Sequence, residues 1–269
     1  MSTLTIRAEG AELRVMSSNI LFEKCLVDRV PLIADYYRDC AADVIGMQEV
    51  NHVGTALFDI LAEHYTTVAK AHVDGKHCFT PILYRHDRLE LLEGGSELHR
   101  MRATDTKSFS YAVLADKKTG KKFAVLNTHS AIILPCHKFE ATNAVEGEEW
   151  RTDNVLRMLE KRDELYLKYG KELPVFMTGD FNAMPTGDSI TTMKQHMHDS
   201  ADVATLGNEK NVCSYHGRPG TPCRLEGGGP IDFIFVNDTV KVLTHNVPHD
   251  EAAIAISDHC PVYIDATLN

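Results

Sequence analysis

Short apolar runs alternate with longer amphipathic stretches along this chain. Apolar runs bounded by turn residues predict strands at 14–21, 43–47, 65–71, 79–85, 89–93, 108–116, 121–129, 173–177, 211–215, 231–236, 240–245 and 261–266. Apolar residues at helical spacing predict helices at 28–41, 52–64, 148–169 and 189–196, with Asp28 placed to cap the first. Residues 118–120 predict a hairpin turn.

The order of these elements predicts an α/β (α+β) fold. A βαβα start is followed by a meander of strands, a long helix and a second strand-rich half. Two mixed β-sheets packed face to face, with helices on both outer faces, satisfy this order as a four-layer α/β/β/α sandwich. Because no repeat, low-complexity tract or linker interrupts the pattern, we expect a single domain over 1–269, with 1–10 as a flexible N-terminal segment.

Composition narrows the classes of function. The chain has 269 residues, 43% of them apolar and 25% charged, as in ordinary globular proteins. No apolar run approaches the roughly 20 residues of a membrane span, and residues 1–10 lack the apolar core of a secretory signal. The formal net charge of −10 argues against broad attraction to nucleic acid or anionic membranes. We therefore expect a cytoplasmic protein with no membrane span and no obligate protein partner.

The seven cysteines are widely spaced and contain no CxxC pair. Cys213 and Cys223 flank a loop rich in glycine and proline and are placed to form a bridge. In a cytoplasmic protein we expect them to remain free thiols instead.

The segment Thr178-Gly179-Asp180-Phe181-Asn182 directly follows an apolar run that predicts a buried strand. Gly179 permits a backbone turn at the end of that strand, which places Asp180 and Asn182 at the rim of a sheet. A carboxylate and an amide converging on one point suit the activation of a water and the binding of a phosphate oxygen. The same residues also form an ordinary Asx turn, and the segment alone does not separate these two interpretations.

Similar polar residues stand at the ends of other predicted strands. They are Asn19, Glu49, His129, Asp232, Asp258 and His259. Each has a structural interpretation of its own, as a turn former, a helix-start charge or a buried histidine, but the set as a whole points to one site. Carboxylate and amide oxygens suit a hard cation, Mg²⁺ or Mn²⁺, and the histidines supply proton donors for a phosphate oxygen or a leaving group. This chemistry is that of metal-assisted phosphoester hydrolysis.

Seven ordered motifs give the chain a clear resemblance to a known family. MSSNIL, IGMQEV, PILYRHDR, LNTHS, TGDFNAMP, IDFIFV and ISDHCPV, spread over 16–262, resemble the endonuclease/exonuclease/phosphatase superfamily with its DNase I-like fold. The resemblance implies a two-sheet sandwich flanked by helices and divalent-metal-dependent cleavage of phosphoester bonds.

The resemblance also implies a role for each residue. Glu49 is expected to be the principal metal ligand, with Asn19 beside it as a second metal-site residue and Asp258 completing the Mg²⁺ site. Asp180 is expected to orient or deprotonate the attacking water, and Asn182 to bind the phosphate. His259, paired with Asp232, is expected to contact the scissile phosphate as a cation, and His129 to bind a phosphate oxygen or assist the leaving group.

Two features depart from the family pattern. Many similar sequences carry an acid before the PILYR strand that orients the histidine of the NTH motif, and here Cys78 stands near that place. The segment 130–149 is longer than a simple turn, which is consistent either with a loop facing the substrate or with a surface insertion. Arg151, which opens the following helix, is a further candidate for the site.

Two classes of function follow. The first is a phosphoester hydrolase acting on nucleic acid or a small phosphorylated molecule. The negative charge argues against tight nonspecific DNA binding and favours a small phosphorylated molecule, a lipid headgroup or a short RNA. The alternative is a catalytically silent member of the family that acts as a binding or scaffold protein. Cys78 supports this alternative, and the retained acidic and histidine residues argue against it.

Overall fold

The computed structural model describes residues 6–22, 26–71, 78–99, 108–132, 143–221 and 229–269. Its strands are β1 (Leu13–Asn19), β2 (Val44–Gln48), β3 (Tyr65–Val68), β4 (Ile82–Arg85), β5 (Leu89–Leu98), β6 (Ser108–Asp116), β7 (Lys122–His129), β8 (Val175–Asp180), β9 (His198–Asp199), β10 (Gly207–Asn208), β11 (Asp232–Val236), β12 (Val240–Asn246) and β13 (Val262–Leu268). Its helices are α1 (Leu26–Cys40), α2 (Ala56–Ile60), α3 (Ala144–Tyr169), α4 (Asp188–Lys194), α5 (Ser200–Val203) and α6 (Glu251–Ala255).

The strands form two mixed sheets. Within the described residues, the first sheet has the order β10-β12-β13-β1-β2-β4-β3 and the second has the order β5-β6-β7-β8-β11-β9. Each sheet contains a central parallel pair, β1 with β2 in the first and β7 with β8 in the second. The carboxyl ends of parallel strands meet at the same edge of a sheet, so each pair delivers two strand ends to one place.

Three apolar layers hold the sandwich together. The inner faces of the two sheets pack against each other through residues such as Val15, Phe123 and Phe176. The outer face of the first sheet packs against α1, α2 and α6, and that of the second packs against α3 and α4. Burying both faces of each sheet accounts for the runs of apolar residues in the central strands. The predicted four-layer α/β/β/α sandwich is confirmed.

Several predicted elements differ in detail. The stretch 211–215 is not a strand, because Tyr215 forms only an isolated bridge, with His259, and the Ser214 carbonyl accepts from the Cys260 N–H, outside the named strands. Helix α1 begins at Leu26, so Asp28 lies inside the first turn and does not cap it. The helix predicted over 52–64 is regular only in α2. The hairpin turn at 118–120 is confirmed between β6 and β7, with Gly120 at φ 74°.

Cys213 is disulfide-bonded, so the expectation of a free thiol at this position was wrong. Spacing in the sequence does not reveal which thiols approach each other in the fold. Cys223 lies outside the described residues. Cys40, Cys78 and Cys260 are free and buried. None of the described helices is both long and apolar enough to span a bilayer.

Candidate active site

Strand pairing explains why separate parts of the chain meet at one end of the sandwich. Asn19 ends β1 and Glu49 follows β2, its parallel neighbour. His129 ends β7 and lies opposite Asp180, which ends the parallel strand β8. Asp232 begins the antiparallel strand β11 and also lies opposite Asp180. The ends of both central pairs therefore carry their polar side chains to the same edge.

Asp258 and His259 reach this edge from the other direction. They precede β13, which runs antiparallel to β1, so the segment that enters β13 lies near the place where β1 ends. Both side chains are largely buried, with Asp258 9% and His259 5% exposed. The sequence-predicted residues thus assemble from both sheets and one loop.

The carboxylate of Asp180 lies at the centre of the cluster and is buried. Its Oδ2 accepts a hydrogen bond from Asn19 Nδ2 at 3.1 Å and lies 3.5 Å from His129 Nε2 and 3.9 Å from His259 Nε2. Asn19 Nδ2 also donates to Glu49 Oε1 at 3.2 Å. One carboxylate oxygen is therefore shared by an amide and two imidazoles, and the amide links it to a second acid.

His259 forms a buried ion pair with Asp232. Its Nδ1 lies 2.8 Å from Asp232 Oδ2. Burial opposes the charged imidazolium, but the charge and hydrogen bond of Asp232, together with the charges of Asp180 and Asp258, raise the pKa of His259 to about 10. Near neutral pH this histidine is a cation whose Nε2–H points to the acidic centre.

The acidic side of the cluster suits a divalent cation. Glu49, His129 and Asp180 each bring one possible ligand atom within 4.8 Å of the others. Asp180, Asp232 and His259 lie equally close together, but there the histidine is the cation that pairs with Asp232. Burial raises the pKa of Asp258, and the nearby charge of Glu49 raises it further, while His259 opposes this. Oxygen-rich donors at a site of concentrated negative charge fit Mg²⁺ or Mn²⁺.

Asn19 is held in a specific orientation beside these acids. Its Oδ1 accepts the backbone N–H of Leu21 at 3.0 Å, while its Nδ2 faces Glu49 and Asp180. In this arrangement Asn19 joins the two carboxylates through its amide nitrogen.

Asp180 and Asn182 form an Asx turn and belong to the cluster at the same time. The Asn182 backbone N–H donates to Asp180 Oδ1 at 2.8 Å, and its Nδ2 donates to the carbonyl of Ser130 at 3.0 Å. Asn182 has φ 49° and Glu49 has φ 60°, in the left-handed region that non-glycine residues rarely adopt. Such backbone strain is common at functional sites. The two interpretations of the sequence motif, an Asx turn and a part of the site, are therefore compatible.

Gly179 has a different role from the one predicted. Strand β8 continues through it to Asp180, so the chain does not turn there. A Cβ at this position would lie 2.3 Å from the backbone oxygen of Thr128. Glycine instead permits the close approach of β7 and β8 that places His129 opposite Asp180.

A buried polar network beneath the site joins the two sheets. Gln48 Nε2 donates to Asn127 Oδ1 at 2.6 Å, and Thr178 Oγ1 donates to the same oxygen at 3.0 Å. Asn127 Nδ2 donates to the backbone oxygen of Met47 at 2.7 Å. Gly46 leaves room for this network, because a Cβ there would lie 2.4 Å from both Asn127 Oδ1 and Thr178 Oγ1. These contacts fix the ends of β2, β7 and β8 relative to each other.

Sequence reasoning missed Arg29, a buried residue of α1. Its guanidinium donates to the carbonyls of Ile20 at 2.7 Å, Leu21 at 2.7 Å and Ile256 at 2.6 Å. These carbonyls flank Asn19 on one side and the Ser257-Asp258 segment on the other. Arg29 therefore ties together two loops that carry site residues, and a lone arginine in a helical pattern gives no signal of this contact.

Sequence reasoning also missed the segment that carries Ser214 and Tyr215. Ser214 Oγ donates to Asp232 Oδ2 at 2.7 Å and so supports the partner of His259. The Tyr215 ring lies 4.9 Å from the His259 ring, centroid to centroid. An ordinary strand, as predicted at 211–215, gives no reason to expect either contact.

The remaining sequence candidates lie away from the centre. Cys78 Sγ lies 3.4 Å from Ser110 Oγ, in a buried group of small polar side chains between the sheets. Arg151 pairs with Glu148 in the first turns of α3 and also donates to the carbonyl of Ala131 at 3.4 Å. Half of the segment 130–149 suspected of facing the substrate, residues 133–142, lies outside the described residues.

Comparisons with known proteins agree with this architecture. The structure resembles an endonuclease/exonuclease/phosphatase from Bacteroides vulgatus, with a TM-score of 0.78 and 25% identity over 96% of this chain and 99% of that one. It resembles a mannosyl-6-phosphatase from Bacteroides thetaiotaomicron with a TM-score of 0.76 and 24% identity, over 96% and 100% of the two chains. It also resembles D. rerio TDP2 complexed with a single-strand DNA product, with a TM-score of 0.68 and 17% identity, over 95% and 98%.

No curated protein sequence matches the chain. The profile of one family does match, over residues 16–259, which include all eight residues predicted for the site. This match covers most of the 269 residues. The chain belongs to the Endonuclease/Exonuclease/phosphatase family.

Proposed function

We propose that this protein is a divalent-metal-dependent hydrolase that cleaves a phosphoester bond with an activated water. The observation that carries the proposal is the convergence on Asp180 Oδ2, where Asn19, His129 and His259 approach within 3.1–3.9 Å. A carboxylate beside two imidazoles can accept a proton from water and has proton donors next to it for the phosphate.

In this proposal one group of the cluster acts on the attacking water and the others bind the phosphate. Asp180 orients the attacking water and accepts its proton. His259, held as a cation by Asp232, donates Nε2–H to a phosphate oxygen, where a positive charge stabilises the developing negative charge. His129 donates to a second phosphate oxygen or to the leaving oxygen, and Asn182 offers its remaining Nδ2–H to the phosphate.

Glu49 and Asp258 are the proposed ligands of Mg²⁺, for which Mn²⁺ could substitute, with Asn19 positioned beside them. Bound there, the cation would polarise the phosphoryl group and neutralise part of its charge. The dense buried negative charge of the cluster supports this assignment, because uncompensated buried carboxylates are costly.

The acidic character of the whole chain bears on the substrate. A net charge of −10 gives no long-range attraction to a nucleic-acid backbone. The structures that share this fold include a mannosyl-6-phosphatase and a protein complexed with single-strand DNA, so the fold hosts both kinds of ligand. The negative net charge of this chain favours a small phosphorylated molecule over a nucleic acid as the substrate.

The experiment is a screen of the purified protein with millimolar Mg²⁺ or Mn²⁺. The panel contains sugar phosphates, nucleotides, inositol phosphates, sphingomyelin, RNA, and single-stranded and duplex DNA. We expect turnover of at least one phosphoester, abolished by EDTA and restored by added metal. A protein that melts at a higher temperature with metal but hydrolyses nothing in the panel would instead support a binding or scaffold role.

A further inference from the structure

Tyr215 is a surface aromatic residue fixed directly beside the catalytic cluster. Its side chain is 47% exposed, whereas Tyr36, Tyr37, Tyr65 and Tyr263 are all nearly or fully buried. Its ring centroid lies 4.9 Å from that of His259, with 57° between the ring planes. Tyr215 therefore combines contact with the His259 ring and a side chain that is about half exposed to solvent.

The backbone around Tyr215 is anchored on both sides. Tyr215 forms an antiparallel bridge with His259, the Cys260 N–H donates to the carbonyl of Ser214 at 2.7 Å, and the His216 N–H donates to the carbonyl of Asp258 at 2.8 Å. The Ser214 hydroxyl donates to Asp232, and Cys213 is disulfide-bonded. The ring is therefore held in register with the residues proposed to meet the phosphate.

We infer that Tyr215 is a specificity-determining residue that stacks on a ring carried by the substrate next to its scissile phosphate. This inference rests on the proposed function, because it requires the phosphate to meet His259 Nε2. A phosphate bound there brings the group attached to it within a few ångströms of Tyr215. The favoured substrates are phosphoesters of cyclic molecules, whose sugar or base offers a flat face, over esters of acyclic alcohols.

An aromatic platform suits such a ring for two reasons. Bases stack on aromatic side chains, and each stacked base is typically worth about 1–3 kcal/mol, or roughly fivefold to more than a hundredfold in affinity. The apolar face of a sugar likewise buries area against an aromatic ring at little cost in conformational entropy, since the ring has few rotatable bonds. A small acyclic ester such as glycerol 3-phosphate gains much less from this surface.

The test compares inhibition constants for three phosphates against whichever phosphoester the wild-type protein hydrolyses. The probes are glucose 6-phosphate, adenosine 5′-monophosphate and glycerol 3-phosphate, so affinity is read even for esters that are not cleaved. We expect wild type to bind at least one ring-bearing probe more tightly than glycerol 3-phosphate. Tyr215→Ala should weaken that ring-bearing probe by about tenfold and glycerol 3-phosphate by less than about twofold.

Two further variants separate stacking from structure. Tyr215→Leu keeps apolar bulk without a flat face and should behave like Tyr215→Ala, whereas Tyr215→Phe should retain the preference for a ring. Leu167→Ala, at a side chain 91% exposed on α3, is the matched surface control and should change nothing. Equal weakening of all three probes by Tyr215→Ala, or retention of the preference in Tyr215→Leu, would overturn the inference. Failure of the proposed function appears differently, as the absence of any metal-dependent hydrolysis by wild type.

Discussion

The imidazole of His259 is held by the carboxylate of Asp232 across 2.8 Å in an almost fully buried pair. The pair joins the loop before β13 in the first sheet to the start of β11 in the second sheet. This ion pair therefore links the two sheets of the sandwich at the candidate site.

This pair predicts a specific pH dependence in the metal-free protein. The pKa of His259 in the folded state, about 10, lies above its ordinary value of about 6.5 in an unfolded chain. The stability that the pair contributes is therefore fully present below about pH 6.5 and is lost as the pH rises through about 10. Asp232→Asn should lower the pKa of His259, because burial of the imidazolium is then opposed only by the charges of Asp180 and Asp258. An NMR titration of the His259 ring in EDTA measures this, and an unchanged pKa in the variant would show that Asp232 does not hold the charge.

Arg29 is predicted to position the proposed metal site. Arg29→Met removes three hydrogen bonds to carbonyls beside Asn19 and Asp258. Loss of such supporting contacts typically weakens metal binding about 10-fold to about 100-fold. Titration of Mn²⁺ followed by electron paramagnetic resonance gives the dissociation constant directly.

Arg38→Met is the control, since Arg38 lies on the same helix with a side chain 40% exposed. It should bind Mn²⁺ like the wild type. If Arg29→Met lowers the melting temperature but leaves the Mn²⁺ affinity of the folded protein unchanged, then Arg29 supports only the fold.

Gly46 is predicted to be essential to the packing between the sheets. In Gly46→Ala, the new Cβ would meet Asn127 and Thr178 side-chain oxygens at 2.4 Å, so the buried polar network must shift. Overpacking of this kind costs about 1–3 kcal/mol of unfolding free energy. Urea unfolding measures it, with Gly207→Ala as the control because its nearest contact would be an ordinary 3.6 Å. Equal stability of the two variants would contradict the packing argument.

The sequence predicts the layers, and the residues that cluster at the candidate site, because both depend on local patterns. Apolar runs mark strands whose faces are both covered, as in β2 and β8, and motifs at strand ends identify Asp180 and His259. Contacts between distant segments leave no such pattern. The buried Arg29, the support of Asp232 by Ser214 and the closeness of Tyr215 to His259 all arise from loops that meet only in three dimensions.

The short helices α5 and α6 were not predicted, for a related reason. Helices α5 and α6 contain four and five residues, too few to show a periodic apolar face, and each begins at an aspartate cap. The expected strand at 211–215 has apolar character. In the structure the Ser214 hydroxyl donates to the Asp232 carboxylate and accepts from the backbone N–H groups of Ile231 and Asp232. These side-chain hydrogen bonds fix 211–215 as a loop, and not as a strand paired along its length.

The most direct test of the central claim is the turnover number of Asp180→Asn in saturating Mg²⁺, on the phosphoester that wild type hydrolyses. The substitution preserves size but removes the basic carboxylate, and we predict a loss of about 10²-fold to about 10⁴-fold with the melting temperature little changed. Asp238→Asn, at a side chain 92% exposed, should retain wild-type turnover. Wild-type turnover in folded Asp180→Asn would contradict the claim that the Asp180 carboxylate activates the water.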